Sequence, residues 1–152
     1  MERNIKFKFN WILRNKIAIG TAPMNEDDTK ILKDFGIISI LSLCDIKEVN
    51  PPANLEEKFI CKRFVLPDHT YDKKMNLEEL KLVLDILGKL ILDGPVFVHC
   101  KAAVERSPIV CMAWLIKEKK LNYQQALSYL MEVNKGTCPS KDQLELLKNI
   151  DK

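Results

Sequence analysis

Four short apolar runs recur along the chain, each closed by glycine, proline or a charged cluster. They are KIAIGT (16–21), ended by Gly20; IISILSLC (37–44); KFICKRFVL (58–66), ending at Pro67; and PVFVHC (95–100). Runs of this length predict strands, and the β-branched second run is the pattern of a strand buried on both faces. The segments between them carry helical periodicity. NEDDTKILKDFG predicts a helix capped by Asn25, acidic in its first turn and stopped at Gly36. NLEELKLVLDILGKLILDG predicts a long amphipathic helix with an Asn76/Glu79 capping box. Beyond the fourth strand, Ser107 and Pro108 suit the N-cap and first turn of a helix running to about Lys119. Two further helices open at Asn122…Gln125 and Ser140…Gln143. NPPAN (50–54) and PDHTYDKKM read as loops. Strands alternating with helices, then a helical tail, predict an α/β fold with a central, mostly parallel twisted sheet of four to five strands. No boundary divides the chain, so residues 1–152 are expected to form one domain.

Composition narrows the partners. The 152 residues are 47% hydrophobic, enough for a sizeable core, and 24 basic against 21 acidic residues leave a net charge of only +3. That balance argues against nucleic acid as the main partner. The N-terminal MERNIKFKFNWILRNK has no uninterrupted apolar stretch of signal-peptide type, and the most apolar windows are too short or too charged for stable membrane insertion. Five cysteines (44, 61, 100, 111 and 138) show no C-x-x-C pair and no Cys/His spacing suited to zinc. An odd number with no secretory signal reads as reduced thiols in the cytoplasm.

Candidate chemistry concentrates in PVFVHCKAAVERSP (95–108). Cys100 ends a predicted strand and Ser107 opens the next helix, the place where open α/β sheets bind ligands. The connection Lys101-Ala102-Ala103-Val104-Glu105-Arg106 is of a length to turn backbone N–H groups inward, and the helix adds the positive end of its dipole. An anion belongs there, and the planar guanidinium of Arg106 can grip two oxygens of a phosphate. Thiols beside a helix N-terminus and a cation ionise well below their ordinary range. One geometry would thus bind a phosphate and activate a nucleophile.

With the preceding apolar strand, VHCKAAVERSP resembles the His-Cys-x5-Arg-Ser/Thr signature of cysteine-dependent protein tyrosine phosphatases, in the compact dual-specificity branch. The likeness extends over most of the chain. WILRNKIAIGTAP resembles the family's opening strands, FGIISILSLCD its first buried parallel strand, LPDHTYD its general-acid loop, and SPIVCMAWLIKEKKLNYQQALSYLMEVN with CPSKDQLELL its helical tail. The resemblance implies a two-step reaction. Cys100 attacks phosphorus to form a phosphocysteine, Arg106 and the loop amides of residues 101–106 stabilise the equatorial oxygens, and water then hydrolyses the thiophosphate. Ser107 would hydrogen-bond the sulfur, His99 would orient the loop, and neither metal nor organic cofactor is required. The acid would be a carboxylate about 30 residues upstream. Asp68 and Asp72 both qualify, with Asp68 favoured by its Leu-Pro-Asp context. His69 is read as an exposed loop residue without a role.

Two positions depart from the family pattern. Ala103 stands where glycine is usual, which strains the loop if that position needs a left-handed backbone. Glu105 brings a negative charge beside an anion site, and either points outward or holds a neighbouring group. Cys44 ends a buried strand; in the lipid-phosphatase relatives a comparable cysteine pairs with the nucleophile under oxidation, so Cys44 is a candidate redox partner of Cys100 beside the reading as a core residue. The chain has little length for the loops that deepen a phosphotyrosine-selective cleft, so a monomeric phosphatase of phosphotyrosine and phosphoserine/phosphothreonine in proteins is expected. Alternatives are a phosphoinositide or phosphosugar phosphatase, for which Lys101, Lys73 and Lys74 would be the basic rim, and a non-catalytic phosphoprotein-binding module. A rhodanese-like sulfurtransferase would have a shorter loop, and a low-molecular-weight phosphatase or arsenate reductase would carry the cysteine near its N-terminus.

Overall fold

In a computed structural model, residues 6–151 are described, and after an opening strand that none of the four apolar runs marks, strands alternate with helices as those runs predict. The first residues of the N-terminal segment read for a leader lie outside the described residues. The strands are β1 (Phe9–Leu13), β2 (Ile17–Gly20), β3 (Ser39–Ser42), β4 (Ile60–Arg63) and β5 (Val96–His99). The helices are α1 (Glu26–Asp34), α2 (Leu55–Lys58), α3 (Leu77–Ile91), α4 (Arg106–Lys119), α5 (Tyr123–Val133) and α6 (Lys141–Leu147). The sheet order is β1-β2-β5-β3-β4, with β1 antiparallel to β2 and the remaining pairs parallel. Among the described residues no helix is long and apolar enough to cross a membrane.

Period-two alternation sorts the central strands' side chains onto two faces. Ile17, Ile19, Leu41, Val96 and Val98 point to a core shared with α3, α4, α5 and α6. Ala18, Ile40 and Phe97 point to the other face, where Leu32 of α1 and Leu55 of α2 cover them. Covered on both faces, β2, β3 and β5 are buried at every position, which is why they read as unbroken apolar runs. Helix α4 lies within the larger core, buried from Arg106 to Ile116.

The caps at Asn25, Asn76, Asn122 and Ser140 form as predicted, the last three as complete capping boxes. Gly36 follows α1 at φ 83°, a left-handed stop. Three boundaries differ from the sequence reading. Residues 55–58 form the short helix α2, opened by Asn54 at φ 64°, because buried Leu55 is drawn onto the smaller core. Strand β4 ends at Arg63, although Phe64 and Leu66 still donate to the carbonyls of Ser42 and Leu43 at 2.9 Å each. Helix α4 begins at Arg106, with Glu105 rather than Ser107 at the N-cap and no side-chain cap bond. Ser107 does not cap because its hydroxyl faces the thiol of Cys100 instead.

Candidate active site

Parallel pairing sets the floor of the site. The register places His99 of β5 between Gly20 of β2 and Ser42 of β3. Neighbouring residues on adjacent strands share a face, and the His99 ring meets Ser42 Oγ at 2.7 Å through Nε2. The other ring nitrogen, Nδ1, lies 3.0 Å from the carbonyl of Cys100. A carbonyl only accepts, so Nδ1 carries the proton and Nε2 accepts from the Ser42 hydroxyl. Burial brings His99 down to about 4, a neutral ring fastened at both ends under the loop.

Cys100 is 3% exposed, and its Sγ is 3.2 Å from Ser107 Oγ across the mouth of α4. Between them the chain turns through Ala103 at φ 59°, so the left-handed conformation is adopted by an alanine. That turn is held from below. Asn134, buried at the end of α5, donates through Nδ2 to the Ala103 carbonyl at 3.0 Å, and the N–H of Cys138 donates to the Val104 carbonyl at 2.9 Å.

Arg106 is 2% exposed and almost wholly oriented by protein groups. Nη1 donates to Glu48 Oε2 at 3.0 Å and to the Leu66 carbonyl at 3.2 Å, and Nη2 donates to Glu48 Oε1 at 2.8 Å. A guanidinium has five N–H groups. These three bonds leave Nε–H and one Nη2–H as a two-pronged fork, the shape that matches two phosphate oxygens. Burial opposes the charge on Arg106, but Glu48, Cys100 and Asp68 outweigh it and raise its pKa. Burial pushes the Glu48 carboxyl up, yet the bonds from Arg106, the Tyr71 hydroxyl (2.5 Å) and the Asp45 N–H bring it down to about 2. Tyr71, donating to that carboxylate, is pushed up to about 12.

Of the two acid candidates, Asp68 is half-buried with Oδ2 3.6 Å from Arg106 Nη2, whereas Asp72 is exposed. Burial would raise the Asp68 carboxyl, but the Thr70 hydroxyl and N–H, bonded to Oδ1 at 2.5 and 2.9 Å, and the charge of Arg106 hold it below its ordinary value. Glu105 does not point outward. It accepts from the His69 N–H at 3.2 Å and from Gln143 Nε2 of α6 at 3.0 Å, and it pairs with the His69 ring. His69 is therefore exposed, as expected, but not without a partner.

Lys101 is exposed at the rim, whereas Lys74 pairs with Asp142 at 2.7 Å and Lys73 with Glu79 at 3.5 Å. Cys44 is a buried free thiol whose pKa is raised by burial, against the pull of the nearby Arg106 and Arg63 charges. Asp68, His69 and Glu105 bring ligand-type atoms within 4.8 Å of one another, but these groups are already bonded among themselves and to Gln143 and Thr70. The sequence reading missed Glu48, Ser42, Tyr71, Asn134 and Gln143. Glu48 had a signal, an acidic residue in the loop after a buried parallel strand; the others had no local one.

Comparison with known proteins identifies the family. The family described as dual specificity phosphatase, catalytic domain (DSPc), matches residues 19–152. Phosphatidylglycerophosphate phosphatase PTPMT2 of Arabidopsis thaliana is 24% identical over 132 residues, covering 85% of this chain and 58% of that protein. Dual specificity protein phosphatase 5 of Rattus norvegicus is 33% identical over 72 residues, 47% of this chain and 18% of that protein. The chain thus spans less than two thirds of the length of either relative. Among solved structures, Tk-PTP in its active form matches with a TM-score of 0.80 at 20% identity, over 94% of this chain and 95% of that one. PTPMT1 in complex with PI(5)P matches at 0.79 with 19% identity, over 94% of each. At these identities the solved structures share the fold. The chain belongs to the dual specificity phosphatase catalytic-domain family, within the cysteine-dependent tyrosine phosphatases.

Proposed function

We propose that residues 1–152 form one catalytic domain that hydrolyses phosphomonoesters through a phosphocysteine at Cys100, with phosphotyrosine, phosphoserine and phosphothreonine side chains of proteins as substrates. The observation that carries this reading is the convergence of a buried thiol, the Ser107 hydroxyl 3.2 Å away and the pre-oriented fork of Arg106 at one helix N-terminus. The sulfur attacks phosphorus while Asp68 gives its proton to the departing oxygen, so a P–O bond breaks as the S–P bond forms. The amides of Lys101, Ala102, Ala103, Val104, Glu105 and Arg106, with the Arg106 fork, hold the equatorial oxygens. Water then attacks phosphorus as the Asp68 carboxylate takes its proton, and the sulfur leaves as a thiolate that accepts a hydrogen bond from Ser107. His99 positions the loop from beneath, and Asp68 is preferred to Asp72 for its place beside Arg106. Cys44 is the candidate redox partner: where a peroxide oxidises the Cys100 thiolate to a sulfenic acid, the Cys44 thiol would displace the hydroxyl as water and form a disulfide.

The names of two relatives favour a second reading, hydrolysis of a phosphorylated lipid headgroup. Charge at the rim favours protein substrates, because Lys73 and Lys74 already answer Glu79 and Asp142. Phosphopeptides and phospholipid micelles, offered separately, distinguish the two.

The reaction is tested with aryl phosphates from acidic to neutral pH. Cys100→Ser is expected to abolish turnover, and Asp68→Ala to lower it about 100-fold or more on a poor leaving group. Because Asp68 sits below its ordinary value in the free protein, kcat/KM is expected to decline as pH rises, and Asp68→Ala to flatten that decline. Turnover that survives in Cys100→Ser would sink the covalent mechanism. Phosphate binding without turnover in the parent protein would make the pocket a reader.

A further inference from the structure

Among the described residues, Glu105 is the one whose side chain ties the phosphate loop, the acid loop and the helical tail together. Its carboxylate accepts from the backbone N–H of His69, the residue next to Asp68, and pairs with the His69 ring. It also accepts from Gln143, a side chain only 5% exposed on α6. Glu105 itself is 13% exposed, whereas His69 is 67% exposed, so the anchored end is the phosphate loop and the held end is the acid loop.

The acid loop needs such a hold. Pro67 is buried, but residues 69–74 are exposed, and a cavity of about 160 Å³ lies between the loop and α6, lined by Asp68, His69, Met75, Asp142 and Gln143 among others. Apolar packing does not fill that space, so polar tethers define the loop's position. Arg106 holds the start of the loop through the Leu66 carbonyl at 3.2 Å and Asp68 at 3.6 Å, and two tethers act farther along, Tyr71 on Glu48 and Lys74 on Asp142. Among the described residues, only Glu105 grips His69, on the far side of Asp68 from the Arg106–Leu66 bond, and joins it both to the phosphate loop and to α6.

We propose, on the reading that Asp68 is the general acid, that Glu105 is a positioning residue that latches the acid loop over the phosphate cradle through His69 and Gln143. A carboxylate at this place costs something, since it adds negative charge near a dianionic substrate. The benefit is geometric: proton transfer requires hydrogen-bond reach, and a misplacement of about 1 Å lowers rates by as much as 100-fold.

The test compares kcat/KM for phenyl phosphate, whose leaving group needs a proton, with that for dinitrophenyl phosphate, whose leaving group does not. Both carry the same phosphate group, so altered phosphate binding cancels in the ratio of the two constants. Glu105→Ala is expected to lower the phenyl-to-dinitrophenyl ratio about tenfold. Glu105→Gln, which retains one carbonyl acceptor, is expected to restore part of it, and Gln143→Ala to lower it by a smaller factor. Asp68→Ala must lower the same ratio more than any of them. An unchanged ratio in Glu105→Ala, with the ratio lowered in Asp68→Ala, overturns the latch and leaves the acid assignment standing. An unchanged ratio in Asp68→Ala overturns the acid assignment and the latch with it. Amide hydrogen exchange reads the tether without turnover: the segment around His69 is expected to exchange several-fold faster in Glu105→Ala, and unaltered exchange overturns the proposal on its own.

Discussion

Ala103 occupies a backbone conformation, φ 59°, that costs a residue with a side chain about 1–2 kcal/mol. Three effects compete when glycine replaces it. The strain is relieved, but glycine's freedom in the unfolded chain takes back about 0.4–1 kcal/mol, and the lost burial of the methyl group takes back roughly 0.8 kcal/mol. The effects nearly cancel, which explains how alanine is accommodated in this turn. Ala103→Gly is expected to leave the denaturation midpoint within about 1 kcal/mol of the parent, whereas Ala103→Val is expected to lower stability by more than about 2 kcal/mol. Chemical denaturation of the two variants checks both. Glu105 shows the opposite kind of departure, an added side chain that gains two partners, His69 and Gln143, rather than a strained backbone that is merely tolerated.

At the scale of elements, the site is a junction. Strand β5 delivers Cys100, α4 carries Arg106 and Ser107, the segment after β3 brings Glu48, and the segment after β4 brings Asp68. The end of α5 supports the turn between β5 and α4 through Asn134, whose amide also donates to Thr137 Oγ1 at 2.9 Å and whose Oδ1 accepts from Asn10 at 3.2 Å. Asn134→Ala removes a buried donor to the Ala103 carbonyl. A buried acceptor left unsatisfied costs about 1–3 kcal/mol, so the variant is expected to lose that much stability. It should also bind phosphate or vanadate more weakly, because the loop amides lose their support. Loss of stability with no change in anion affinity would separate the α5 end from the cradle.

For the whole molecule, His99 and Glu48 make the largest contributions of the site to the response to acid, and Asp68, also held below its ordinary value, adds to them in the same direction. His99 is depressed from 6.5 to about 4 and Glu48 from 4.5 to about 2. In both windows the unfolded chain binds a proton that the folded protein does not, so stability falls as pH falls. The loss begins near pH 6.5 on account of His99, continues below pH 4.5 on account of Glu48, and is complete near pH 2. Each group contributes a slope of at most about 1.4 kcal/mol per pH unit. Unfolding free energy measured across this range is expected to fall in both windows, with His99→Asn flattening the upper one and Glu48→Gln the lower. The enzyme reading carries its own tension with this profile, since Asp68 works as an acid only when protonated, on the same acidic side where the fold loses stability.

The sequence by itself determined the longer elements, the strand-to-helix loop and the candidate site residues, but not the short helix α2. Those features are written locally: apolar runs for buried strands, Asn and Ser caps for helix starts, and a Cys-x5-Arg spacing that a six-residue turn requires. It also posed the right question about Ala103 and Glu105 without answering it. Only the tertiary structure decided the answers, because they depend on residues distant in the chain. Glu48 meets Arg106 through the adjacency of β3 and β5, Asn134 reaches Ala103 because α5 packs on α4, and Gln143 reaches Glu105 because α6 packs on α4 as well. Local pattern selects which groups exist at a turn, whereas their partners are set by the packing of elements far apart in sequence, and in this protein the partners hold the site in shape.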